Sequence, residues 1–130
     1  MFGDPEGMVR EWGNSVDAQV RRATELNEQI EASRASADSP KGEVRVTVDS
    51  TGSLAELDLR DPAMRLDRRA LAQLIMETSR KAQGLMAQQV ARLAQEKLGA
   101  DSAAADFISS TYAEKFPMPP DEDEPVRTPR

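Results

Sequence analysis

Two short-range pairs in the chain have residue types that can do chemistry: Glu56 with Asp58, and Ser79 with Lys81. Carboxylates two apart on a strand share one face, the arrangement needed for general acid–base work or for holding a cation. A hydroxyl near an amine is the start of a Ser-Lys nucleophile. Neither pair grows into a site. A hard cation needs more converging oxygens than Glu56 and Asp58 supply, and Ser79 with Lys81 lacks a third, orienting group. The chain has no histidine and no cysteine. That removes the commonest general base, the commonest metal ligand and every thiolate. Neither G-x-x-x-x-G-K-S/T nor G-x-G-x-x-G occurs. The chain reads as a non-enzyme with no metal and no cofactor.

Charge offers a different chemistry. A net charge of −6 over 130 residues argues against a nonspecific phosphate binder, whose affinity comes from counterion release. The charge is uneven, however. Residues 1–58 carry −6; residues 59–97 hold eight basic against four acidic groups, a balance of +4; residues 98–130 carry −4. The basic centre keeps phosphate binding open. No apolar run approaches the ~20 residues of a membrane span, and the N-terminus lacks the pattern of a secretory signal, so a cytoplasmic protein that does not enter a membrane is expected.

These groups have to be positioned by a few elements. Val44, Val46 and Val48 alternate with polar residues, and Asp49-Ser50-Thr51-Gly52 is turn chemistry, so 42–59 predicts a β-hairpin. The return strand is expected to place Ala55, Leu57 and Leu59 on one face and Glu56 and Asp58 on the other. A lone hairpin is marginal in water. Helices, a further strand or a second chain must complete it, and part of the polar stretch Arg34–Lys41 can pair as an edge strand.

A first helix over about 5–34 opens at Asp4-Pro5-Glu6, with Asp4 as its cap. Val9, Val16, Ala23 and Ile30 recur every seven residues, with Trp12 and Leu26 at the complementary positions. This is a coiled-coil-like seam on which Trp12 reads as a packed anchor. Asp67 caps a second helix over about 67–98, with an apolar stripe from Leu71 through Leu74, Ile75, Thr78, Ala82, Leu85, Met86 and Val90 to Leu93. Arg69 and Arg80 point away from that stripe, and Lys81 lies on its flank. Gly84 sits mid-helix, either for a close backbone approach or merely tolerated. A short helix over about 102–115 follows, and 117–130 reads as a disordered, acidic, Pro-rich tail behind a single domain of residues 1–116.

This order of elements resembles the YbaB/EbfC family of bacterial nucleoid-associated proteins, in a divergent, actinobacterial-type form. The resemblance rests on Met1-Phe2-Gly3, on Gly42-Glu43-Val44-Arg45-Val46-Thr47-Val48 with the later Gly52, on Leu57-Asp58-Leu59-Arg60-Asp61-Pro62, and on the long helix that follows. Phe116-Pro117-Met118-Pro119 echoes the family's usual ending. The resemblance implies an α+β fold of order α-β-β-β-α, with the first strand drawn from Arg34–Asp38. It further implies an intertwined homodimer, a cytoplasmic, nucleoid-associated location, and DNA binding of low sequence specificity with effects on nucleoid organisation or gene expression. The DNA contacts expected on that basis are Arg65, Arg68, Arg69, Arg80 and Lys81, with Arg21 and Arg22 on the first helix. Val44, Val46, Val48, Leu57 and Leu59 are expected to form the core and dimer contacts. The acidic first helix and tail depart from the family pattern. They support a rival reading, a protein-interaction accessory of an ESX (type VII) secretion system that binds a protein partner through the first helix and no DNA.

Overall fold

The β2 strand, Val44–Asp49, is the centre of a three-stranded antiparallel meander in a computed structural model that describes residues 5–120. Strand β1, Arg34–Asp38, pairs on one side of it, with Ala35 opposite Val48 and Ala37 opposite Val46. Strand β3, Leu54–Leu59, pairs on the other, with Leu59 opposite Val44 and Leu57 opposite Val46. The strand expected from Arg34–Asp38 is present. The register of β3 is not the simple alternation expected from its sequence. A bulge between Thr47 and Val48 brings Leu54, not Ala55, opposite Val48. The extra residue, Ala55, re-aims the start of the strand, as bulges beside tight turns do.

Helix α1, Pro5–Ala32, leads into β1, and helix α2, Arg68–Leu98, lies across β1 and β2. Between β3 and α2 runs a single 3-10 turn, Asp61–Arg65, started by Pro62. Helix α3, Ala103–Lys115, packs back on α2. Asp67 caps α2 by accepting from the Ala70 amide at 2.8 Å, and Ser102 caps α3 in the same way at Ala105. The expected Asp4 cap, the Met1-Phe2-Gly3 start and residues 121–130 of the expected tail lie outside the described residues.

The core follows from the alternation. Val44, Val46 and Val48 are fully buried beneath Ala82, Met86 and Val90 of α2, with Ala35 and Ala37 at their side. Each buried valine contributes ~1.5–3 kcal/mol relative to an exposed one. Alanines on β1 keep that strand thin, so one helix can cover two strands. No helix covers β3. Leu54, Leu57 and Leu59 are 49%, 45% and 38% exposed, although register places Leu57 and Leu59 on the same face as the buried valines.

The seam of α1 is used only at its C-terminal end. Leu26 is buried beside Ala94 and Ala105, and Ile30 bridges this cluster to the main core. Lys97 reaches Glu25 at 3.4 Å. No residue of α1 before Leu26 is buried. Trp12, expected as a packed anchor, is 71% exposed, because among the described residues α1 is buried only from Leu26 onward.

Candidate nucleic-acid interface

Helix α2 presents one stripe to the sheet, and two of the expected phosphate contacts, Arg69 and Arg80, stand on its opposite side. At 100° per residue, Arg69 and Arg80 fall within about 20° of each other, far from the stripe that holds Ala82 and Met86. Lys81 flanks Arg80. All three are exposed, and their side chains make no ion pair or hydrogen bond with the described residues. Arg65 ends the 3-10 turn and Arg68 begins α2; both are exposed. Arg68, Arg69, Arg80 and Lys81 therefore lie along the N-terminal half of α2, over about 20 Å at ~1.5 Å per residue, with Arg65 just before it. Glu77 is the acid nearest to Arg80 and Lys81 in the helix, and it accepts a hydrogen bond from Gln73 at 3.1 Å.

Arg21 and Arg22 are placed elsewhere. They precede Leu26 by about one turn, near Ala94 at the far end of α2. Along the helix axis Ala94 is about 21 Å from Arg80. A single chain therefore has two basic groups rather than one continuous patch.

Most of the charged residues of the sheet are occupied. Arg45 pairs with Asp38 at 3.0 Å, and Arg60 spans Asp38 at 3.3 Å and Asp58 at 3.7 Å while donating to the Gly42 carbonyl. Asp58, once a candidate acid with Glu56, thus serves Arg60. Asp49 accepts from the Thr51 hydroxyl at 2.6 Å and from the Thr51 and Ser53 amides, which hold its carboxyl below the usual range. Glu43 is likewise lowered, chiefly by its own backbone amide and then by the Ser39 hydroxyl and the Lys41 amide. Both fix turns. Among the described residues no three histidine, cysteine, aspartate or glutamate side chains converge as metal ligands, and no helix is long and apolar enough to cross a membrane.

The close packing behind the site was not visible in the residue pattern. Gly84 has no side chain because Met118 lies there: a Cβ at position 84 would stand 2.9 Å from both Cα and Sδ of Met118. Of the two readings left open for this glycine, close approach is the one observed. Gly52 takes φ +83° in the β2–β3 turn, and the Phe116 ring fills the space beside it. Gln83 donates to the Gly52 carbonyl at 3.0 Å, tying the turn to α2. The sequence signals for this latch are the mid-helix glycine and the Phe116-Pro117-Met118-Pro119 segment.

No curated protein matches the chain. A family model described as the YbaB/EbfC DNA-binding family matches residues 7–101, from the start of α1 to just past the end of α2. With that match covering most of its length, and with the helix–meander–helix order in place, the chain belongs to the YbaB/EbfC DNA-binding family.

Proposed function

We propose that the protein is a dimeric, nucleoid-associated DNA-binding protein of low sequence specificity. The observation that carries this reading is the set of exposed cations on α2, with Arg69, Arg80 and Lys81 unpaired among the described residues, in a chain of a DNA-binding family. Long cationic side chains on a helix back suit phosphates, and phosphate contacts carry no sequence information. The dimer is supported by β3, where three leucines on or beside the core face have no cover in one chain. A second copy seated on Leu54, Leu57 and Leu59 would extend the core and bring two α2 helices into one particle. A mobility-shift titration with an arbitrary 30-base-pair duplex tests the reading. The protein should shift the duplex at 50 mM salt, and the variant Arg69→Gln/Arg80→Gln/Lys81→Gln should not. Equal binding by the two would remove α2 from the interface.

The rival, a secretion-system accessory acting through α1, is favoured by one observation. Met8, Val9 and Trp12 leave an apolar stripe bare on the N-terminal half of that helix. Such a stripe suits a partner helix. Nuclease-resistant capture of a protein partner that is lost on Trp12→Ala would support this reading, whereas capture abolished by nuclease would remove it.

A further inference from the structure

The first half of α1 carries an apolar seam that the described residues of its own chain leave bare. Met8, Val9, Trp12 and Val20 are exposed, Val16 is half-buried, and Leu26 is the first buried residue of the helix. At 100° per residue these side chains, with Leu26 and Ile30, fall within one sector of about 120°. The bare seam therefore continues the one that packs Leu26 and Ile30 beside Ala94 and Ala105. Val9, Val16 and Ala23 alternate with Trp12, Gln19 and Leu26 in steps of three and four, the repeat that selects another helix as its cover. The stretch from Pro5 to Ala23, short of Leu26, is about 28 Å long at ~1.5 Å per residue.

From this geometry we infer that the seam is covered by the same stretch of a second copy, running antiparallel, and that this pairing lets the protein bridge two duplexes. A parallel pair sets Trp12 against Trp12 and brings both folded bodies to one end, where each Leu26 is already held by its own chain. In the antiparallel pair the bodies stand at opposite ends and unlike positions face each other. Trp12 then faces Val16 of the second copy in both central layers, Val9 faces Gln19 in the outer ones, and Pro5 reaches Ala23. A shift of one heptad inward needs Leu26, and a shift outward leaves Val20 bare. Gly13 and Ser15 flank the crossing and each meets its own counterpart, so the backbones can approach closely. Within the chain a Cβ on Gly13 would touch nothing, so its own fold does not require glycine there. At the flanks Glu6 lies by Val20 and the stem of Arg22 by Met8, so no like charges meet, and Arg21 points outward. The exposed side chains of two copies amount to about 1,000 Å², the lower end for a specific contact, so the pairing is weak and concentration-dependent. The seam shares no residue with Leu54, Leu57 and Leu59, so a dimer closed on β3 keeps two α1 arms. Pairing of arms links such dimers and gives one particle several α2 helices. The bridging rests on the proposed DNA-binding role and the β3 dimer, whereas the pairing is a property of α1 alone.

The chain has no cysteine, so single cysteines joined by a short bis-maleimide report the register. Ser15→Cys should link to itself several-fold faster than Asn14→Cys, whose position points directly away from the seam. Met8→Cys should link to Arg22→Cys in a mixture of the two, and not to itself. Separately, sedimentation of the native chain at about 200 µM should show a species of twice the mass found at micromolar concentration, as a contact of this size implies. Trp12→Ala/Val16→Ala should abolish that doubling and leave the smaller species intact. Equal linking by Ser15→Cys and Asn14→Cys, self-linking by Met8→Cys, or one mass across the whole concentration range overturns the pairing. For the bridging, beads that carry one duplex should retain a second, labelled duplex several-fold better with the native chain than with Trp12→Ala/Val16→Ala. Equal retention by two proteins that both bind duplex overturns the bridging. If the Ser15→Cys link forms and no form of the protein binds duplex, the DNA reading fails and the pairing stands.

Discussion

The ring of Phe116 occupies the space that a side chain at Gly52 would need, with its Cε1 2.5 Å from where that Cβ would stand. The β2–β3 turn and the C-terminal segment therefore depend on each other although they are far apart in the chain. Phe116→Ala should lose about 3 kcal/mol, the lower end of the range for emptying a buried aromatic site. Gly52→Ala incurs two costs, the left-handed backbone and the collision with the ring. In the Phe116→Ala background only the backbone cost, ~1–2 kcal/mol, remains. Denaturant unfolding of the four proteins in a double-mutant cycle checks this. Identical Gly52→Ala costs in both backgrounds would show that the ring does not press on the turn.

Gly84→Ala sets two effects of opposite sign against each other. Alanine favours the helix by ~1 kcal/mol. Its methyl must also displace the Met118 backbone, and overpacking of that kind costs ~1–3 kcal/mol. Met118 belongs to an end segment that can peel away, so the helix should remain intact and the latch should open. Far-UV circular dichroism should be unchanged, while limited proteolysis near residues 117–120 should accelerate several-fold.

Asp49 and Glu43 give the hairpin a pH dependence with a definite sign. Both carboxyls are held below their ordinary values in the folded chain. A depressed folded pKa means stability that is present above the unfolded value and lost as pH falls through the folded one. The protein should therefore lose stability below the ordinary carboxylate range. Asp49→Ala should flatten that acid limb, as read from melting temperature against pH. An unchanged limb would mean that the Thr51 and Ser53 hydrogen bonds do not bias the carboxylate in solution.

Leu57 and Leu59 make the oligomer directly testable. In one chain they are about half as exposed as in an extended strand, yet they face the side on which the valines are buried. Leu57→Lys/Leu59→Lys should convert a dimer to a monomer by light scattering at micromolar concentration, with the Val44–Val46–Val48 core retained. A native chain that is itself monomeric under those conditions would contradict the proposed dimer.

Much of the architecture could be read in the residues. The valine alternation of β2, the Asp67 cap and the apolar period of α2 are local patterns, and each specified its element closely. Strand β1, poor in large apolar residues, is legible only as some part of Arg34–Lys41, and the resemblance narrows it to Arg34–Asp38, because Ala35 and Ala37 give only a weak strand signal. The bulge at Ala55 and the exposure of Trp12 were not legible. The first depends on turn geometry that shifts register after the alternation is set, and the second on where α2 stops beneath α1. The two latch contacts join residues over thirty apart, and sequence spacing says nothing about such distances. The period of α2 alone puts Arg69 and Arg80 on the side away from the sheet, where they are exposed, but their separation from Arg21 and Arg22 follows from the packing of Leu26 on Ala94.

The central claim is that α2 binds nucleic acid through phosphates. The measurement that meets it most directly is duplex affinity across a series of salt concentrations, for the chain ending at Pro120 and for its Arg69→Gln, Arg80→Gln and Lys81→Gln variants. Affinity should fall steeply with salt, and each lost phosphate contact should reduce the log–log slope by ~0.9, doubled where both chains of a dimer engage. Affinity that is independent of salt, or a slope that none of the three variants changes, would contradict the account.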